Sequence, residues 1–133
     1  MPRKYLKNRL NSFGYAFKGI AAAFWYEPNM KLHVLGAAEA IFLGWFFEIK
    51  NAEWCWIVAA IGLVWMAEIF NTAVEKLTDQ VSPQYNQLAG RVKDLAAGAV
   101  LIAALTALAI GLMIFWPHVE KLPGYGELLE KYL

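Results

Sequence analysis

Leu95–Trp116 reads LAAGAVLIAALTALAIGLMIFW, 22 residues without one charged side chain. A bilayer-crossing helix needs roughly 20 such residues, so this stretch is read as a membrane span. Moving toward the N-terminus, Trp54–Val74 is 21 residues long and carries one charge, Glu68. Leu32–Phe47 is shorter, 16 residues, and is interrupted by Glu39. Lys31 and Glu48 flank it, and side chains at such ends snorkel to the interface. Trp45, Trp54, Trp56 and Trp116 fall near the span ends, as an aromatic belt requires. Carried to their polar ends, the three helices run over about 32–47, 54–79 and 92–116.

Composition agrees. Of 133 residues, 59% are hydrophobic and 17% charged, and the mean hydropathy is +0.40. Soluble domains are nearer about 45–50% apolar and about 25% charged. A chain this short has too little interior to hide so much apolar surface. The lone Cys55 excludes an internal disulfide framework and any cysteine-cluster metal site. The net charge of +1 suggests no general nucleic-acid binder.

The segment before Lys31 has another character. Leu6, Leu10, Phe13, Phe17, Ile20 and Phe24 recur every three or four residues, which is one face of a helix over about 4–26. Lys4, Lys7, Asn11 and Lys18 lie off that face. A basic amphipathic helix beside membrane spans is read as lying in the interface. It lacks the unbroken apolar core and cleavage site of a signal peptide. With three spans, the N-terminus and the loop after Val74 share one side, and nine of the 12 Lys and Arg residues are on it. That asymmetry places the N-terminus in the cytoplasm and the C-terminus outside. Pro123-Gly124 marks a turn in the tail, and Glu127–Leu133 is read as a last helical turn or two.

The charges inside the second span carry the chemistry. Glu68, Asn71, Glu75 and Asp79 are spaced 3, 4 and 4 apart and therefore share one helix face. The stripe climbs roughly 16 Å, from the hydrocarbon edge out to the cytoplasmic side. A charged residue in a span costs about 2.5–3.5 kcal/mol on insertion scales, and three acids on one face repel each other unless a cation sits among them. Hard carboxylate oxygens suit Mg²⁺, which takes one or two carboxylates plus substrate phosphates. Glu68, the most deeply set, suits a general base. The bland alternative is that the acids pair with Lys76, Arg91 and Lys93 to fix helix packing. After the turn Ser82-Pro-Gln-Tyr-Asn86, Lys93 stands near a helix start, where a cation and free N–H groups together meet an anion. The chain has no P-loop and no kinase-type glycine-rich loop.

Glu68-Ile-Phe-Asn71-Thr-Ala-Val-Glu75-x₃-Asp79, followed by Lys93-Asp94-x-Ala-Ala-Gly-Ala-Val, strongly resembles the small integral-membrane prokaryotic diacylglycerol kinase family, which includes undecaprenol kinases. The resemblance runs from about Ser12 to Val119 and takes in Gly14-Tyr15-Ala-Phe-Lys18-Gly19 and Glu27-x-Asn29-x-Lys31-x-His33. It implies a membrane lipid kinase domain over 1–119 with 120–133 as an extension. The implied fold is all-α: one amphipathic surface helix and three transmembrane helices per subunit, in a homotrimer whose neighbours share active sites. The implied reaction is transfer of the γ-phosphate of ATP, with Mg²⁺ as cofactor, to the primary hydroxyl of undecaprenol or diacylglycerol in the bacterial inner membrane.

By position, the resemblance makes Glu68 the catalytic base and Glu27 and Glu75 metal ligands. It puts Asn71, Lys93 and Asp94 around the ATP phosphates, with Tyr15, Asp79, Gln84, Tyr85 and Asn86 nearer the nucleoside. Lys31, His33 and Glu68 are the implied lipid contacts. An Arg that other members carry near the chain start falls at about Asn8, beside Arg9, and Glu39 has no place in the family pattern. A separate reading, a small oligomeric transporter or channel, would use Glu39 and Glu68 as an ion relay. Against it, the acids continue out to Asp79 and do not cross the bilayer.

Overall fold

The computed structural model describes residues 2–84 and 86–125, with side chains from Asn11 onward. The expectations for Tyr85 and for Glu127–Leu133 lie outside the described residues. So do those for the side chains before Asn11, including Leu6, Asn8 and Arg9. The described chain is four helices and contains no strand: α1 Pro2–Tyr26, α2 Pro28–Phe46, α3 Asn51–Val81 and α4 Gln87–Val119.

Local chemistry sets each boundary. Pro28 disfavours helical geometry at the residue before it, and Glu27 is extended with φ −95° and ψ 119°. The break between α1 and α2 is therefore a single residue, and its side chain is a carboxylate. The α2–α3 turn is also tight. Glu48 takes a left-handed φ of 49°, and Gly44 is buried against the turn, where an added Cβ would stand 2.7 Å from the Trp54 ring. The Lys50 N–H donates to Glu53 Oε2 at 2.8 Å, closing the start of α3. At the start of α4, Asn86 Oδ1 accepts from the Leu88 N–H at 2.9 Å, a standard cap. Pro123-Gly124 does form a turn, with Gly124 at φ 85° and the Tyr125 N–H donating to the Leu122 carbonyl at 3.2 Å.

The long pair α3–α4 is the main packing unit, and α2 lies against α3. Ile49, Ile57 and Ile114 are buried together at the end opposite the acidic stripe, with Trp54 and Phe115 packed on them. The α1 helix docks near its C-terminal end, where Ala23 is buried and Phe24 meets Trp65 edge-on at 4.9 Å. Farther back, Phe13 and Phe17 of the apolar stripe remain 64% and 68% exposed.

Among the described residues, α3 and α4 are long and apolar enough to cross a membrane. Only 28% and 17% of their most apolar windows are buried, so neither is the enclosed core helix of a soluble domain. α2, which carries Asn29, Lys31, His33 and Glu39, is not one of these two. The small-residue row Ala99, Ala103, Ala107 and Gly111 splits: Ala103 is buried, whereas Ala107 and Gly111 line an open cleft.

Candidate functional site

The α3 stripe meets the corner between α1 and α2. Glu68 is 2% exposed and Asn71 5%. Deep burial of a carboxylate and an amide on a bilayer helix needs polar neighbours. From α2, His33 Nε2 lies 3.9 Å from Glu68 Oε2, and Asn29 also faces Glu68. One helical turn on, Asn71 Nδ2 donates to Glu75 Oε1 at 3.2 Å. From the corner itself, Glu27 Oε1 accepts from Lys76 Nζ at 2.8 Å. Glu27 and Glu75 both lie close enough to Glu68 to act on its charge. A basic or amide side chain therefore stands beside each of the three acids.

Two buried polar atoms of this cluster have no hydrogen-bond partner, Glu68 Oε2 and Asn71 Oδ1. Buried acceptors left unpaired cost about 1–3 kcal/mol each, a cost that a donor or cation from outside the chain would offset. Among the described residues no three His, Cys, Asp or Glu side chains gather closely enough to hold a metal by themselves. Mg²⁺ does not need three, since it binds through one or two carboxylates and completes its shell with phosphate oxygens and water. Glu27, Glu75 and the free Asn71 Oδ1 fit that donor set.

The other sequence-derived candidates fall into place around this centre. Asp79, one turn beyond Glu75, pairs with Lys93 across the α3–α4 hairpin. Asp94 lies on a neighbouring groove with Arg91. Asn86 uses its side-chain oxygen to cap α4, and Gln84 lends its carbonyl to the Ser82 hydroxyl at 3.3 Å. Tyr15 is exposed, about 18 Å back along α1 from Glu27. Lys31 is exposed and His33 half-buried. The structure thus brings Glu27, His33, Glu68, Asn71 and Glu75 together, and pairs Asp79 with Lys93. It leaves Tyr15 and Asp94 outside the cluster. Lysine pairs within the chain account for Glu27 and Asp79, whereas Glu68 has only the His33 imidazole at 3.9 Å.

Asn29 had no assigned role in the sequence reading, and Lys76 was named only as a pairing partner of the α3 acids, not of Glu27. Asn29 sits four residues before His33, a spacing that puts both on one face, and that was the available signal. The contact of Lys76 with Glu27 joins residues 49 positions apart, and no local pattern announces it.

A cleft of about 450 Å³ opens between α2, α3 and α4. His33 and Trp65 line the end beside Glu68, and Trp116 and Val119 line the far end. Its walls are mainly apolar, with Glu39 partway along. An apolar chain lying in this cleft would bring its polar end to Glu68.

Comparison with known proteins gives a concordant result. The family profile described as prokaryotic diacylglycerol kinase matches residues 14–115. The undecaprenol kinase of Bacillus subtilis is 36% identical over 123 residues, covering 90% of this chain and 100% of that protein. The diacylglycerol kinase of Escherichia coli K12 is 28% identical over 109 residues, covering 82% of this chain and 89% of that protein. That of Synechocystis is 33% identical, covering 86% of this chain and 66% of that protein. The matched segment begins in the amphipathic helix, contains the whole buried cluster and ends within α4, and the chain belongs to the prokaryotic diacylglycerol kinase family.

Proposed function

We propose that this membrane lipid kinase transfers the γ-phosphate of ATP to the primary hydroxyl of undecaprenol or diacylglycerol. The observation that carries the reading is Glu68: buried, with no hydrogen bond to Oε2, and beside His33, which lines one end of an apolar cleft. A lipid alcohol with its chain in the cleft presents its hydroxyl to that oxygen. Glu68 takes the hydroxyl proton as the lipid oxygen attacks the γ-phosphorus in line. The new P–O bond forms as the bond to ADP breaks, and positioning supplies most of the rate.

His33 and Asn29 hold the Glu68 carboxyl in place, and Lys31 at the interface meets the lipid headgroup. Mg²⁺, held by Glu27 and Glu75, would offset the charge of the ATP phosphates. Lys93 exchanges its contact with Asp79 for phosphate oxygens, with Asn71 and Asp94 completing the polar shell. Tyr15, Asp79, Gln84, Tyr85 and Asn86 are assigned to the nucleoside side. Tyr15 and Asp94 reach the nucleotide of a neighbouring subunit, because both stand apart from this chain's own cluster. That assignment supports a homotrimer with shared sites. The α2 helix serves as the third span, anchored by Lys31 and Glu48. The basic side faces the cytoplasm of a bacterial inner membrane, where ATP is available.

The test uses purified protein in detergent with Mg-ATP and diacylglycerol, undecaprenol or no lipid. Phosphate transfer to one lipid alcohol is expected and identifies the substrate. Hydrolysis of ATP without transfer to either lipid overturns the proposal.

A further inference from the structure

The Lys76–Glu27 contact has an unusual setting. Glu27 occupies the one-residue corner between α1 and α2 and is 19% exposed, whereas the Lys76 side chain is 70% exposed. Glu75, the neighbour of Lys76 on α3, also acts on its ammonium. The ammonium therefore stands beside the two carboxylates assigned above to the metal, and its own stem is free in water. A lysine ammonium is a compact point charge on a flexible stem with no fixed geometry to preserve. An exposed ion pair of this kind contributes little to stability, so it is made and broken easily.

We propose that Lys76 is a tethered counter-ion for the metal site, a positioning residue that keeps Glu27 close to α3 when no divalent cation is bound and yields to the cation when it arrives. This inference rests on the assignment of Glu27 and Glu75 as the metal ligands. Glu27 and Glu75 both act on Glu68 here, and without a cation the Glu27 corner would be repelled from the α3 acids. Lys76 offsets that repulsion. The same contact ties up a Glu27 oxygen, so divalent binding must displace it. Lys76 therefore lowers metal affinity while holding the site together.

The test is a Mn²⁺ titration followed by electron paramagnetic resonance, on the full chain in detergent, with and without a non-hydrolysable ATP analogue. Lys76→Gln is expected to bind Mn²⁺ about three- to fivefold more tightly, since a weak competing ionic contact is removed. Lys76→Arg, which keeps the charge, is expected to stay within twofold of the parent. A residue that merely packs would not raise the affinity, nor would its effect follow charge. Glu27→Gln and Glu75→Gln separate the two claims. If Mn²⁺ binding survives both of these, the metal assignment fails and this inference with it. If binding depends on both but Lys76→Gln binds equally or more weakly, the counter-ion role alone is overturned.

Discussion

Glu68 and Glu39 are both carboxylates on helices that border one cleft, and their surroundings part them. Glu68 is buried beside His33 and Asn29, with Glu27 and Glu75 near it, so its orientation is held. Glu39 is exposed on the cleft wall. Removing only the proton-accepting ability of Glu68 tests its role, because Gln has the same shape. Glu68→Gln is expected to reduce phosphoryl transfer by about 10²–10⁴, the usual range for a general base. Helicity and thermal unfolding measured by circular dichroism should stay close to those of the parent. A folded Glu68→Gln protein with full activity would remove Glu68 from the chemistry. Asn71 is expected to act differently. Asn71→Ala frees Glu75 from its amide donor and removes the unpaired Oδ1, so the half-saturating Mg²⁺ concentration should rise more than the maximal rate falls. Varying Mg²⁺ at fixed ATP in the transfer assay reads both quantities.

At the scale of elements, the one-residue corner and the two turns place the site. Pro28 ends α1 and begins α2, and this swings Glu27 toward α3 without a loop. At the opposite end, Gly44 allows Trp54 and Ile49 to close on α2. Gly44→Ala puts a methyl inside the Trp54 ring contact, and overpacking of this kind costs about 1–3 kcal/mol. The variant is expected to unfold at lower temperature while keeping its Mg²⁺ dependence, because the buried cluster lies at the other end of α3. Asn86→Ala removes the cap of α4 and is expected to cost about 1 kcal/mol. If Asn86 also serves the nucleotide, the half-saturating ATP concentration rises as well. Measuring both in one variant distinguishes a cap from a cap that also binds. Asn86→Asp, which caps equally well, should restore stability.

The whole molecule is open. One chain exposes 10759 Å², against about 7,000 Å² for a soluble monomer of 15.0 kDa. Lipid and further copies of the chain are the two ways to cover the difference. Phe13 and Phe17 on α1 and Leu101, Ile102, Leu105 and Leu108 on α4 stay uncovered by their own chain, while the polar cluster lies at the bundle edge. Chemical cross-linking in mild detergent is expected to trap a trimer. Mixing Glu68→Gln with Asp94→Asn, each expected to be inactive alone, is expected to regain activity if one subunit supplies Asp94 to its neighbour's site. Absence of any regained activity in cross-linked mixed trimers would confine each site to a single chain.

Much of this was legible in the chain itself, for reasons of periodicity and transfer energy. The uncharged run Leu95–Trp116 and the apolar run before Val74 predict α3 and α4, because burial in hydrocarbon requires long unbroken apolar helices. The 3, 4, 4 spacing of Glu68, Asn71, Glu75 and Asp79 places one polar face at one end of α3, since helix geometry is local. What periodicity does not carry is rotation and crossing between helices. Only the tertiary structure brings His33 and Asn29 against Glu68, sets Lys76 on Glu27 and Lys93 on Asp79, and leaves Glu68 Oε2 and Asn71 Oδ1 without hydrogen-bond partners. Those contacts depend on how far each helix turns about its axis after the Glu27 corner and the Glu48 turn. A few degrees there decide which acid is paired within the chain and which is left to meet a substrate.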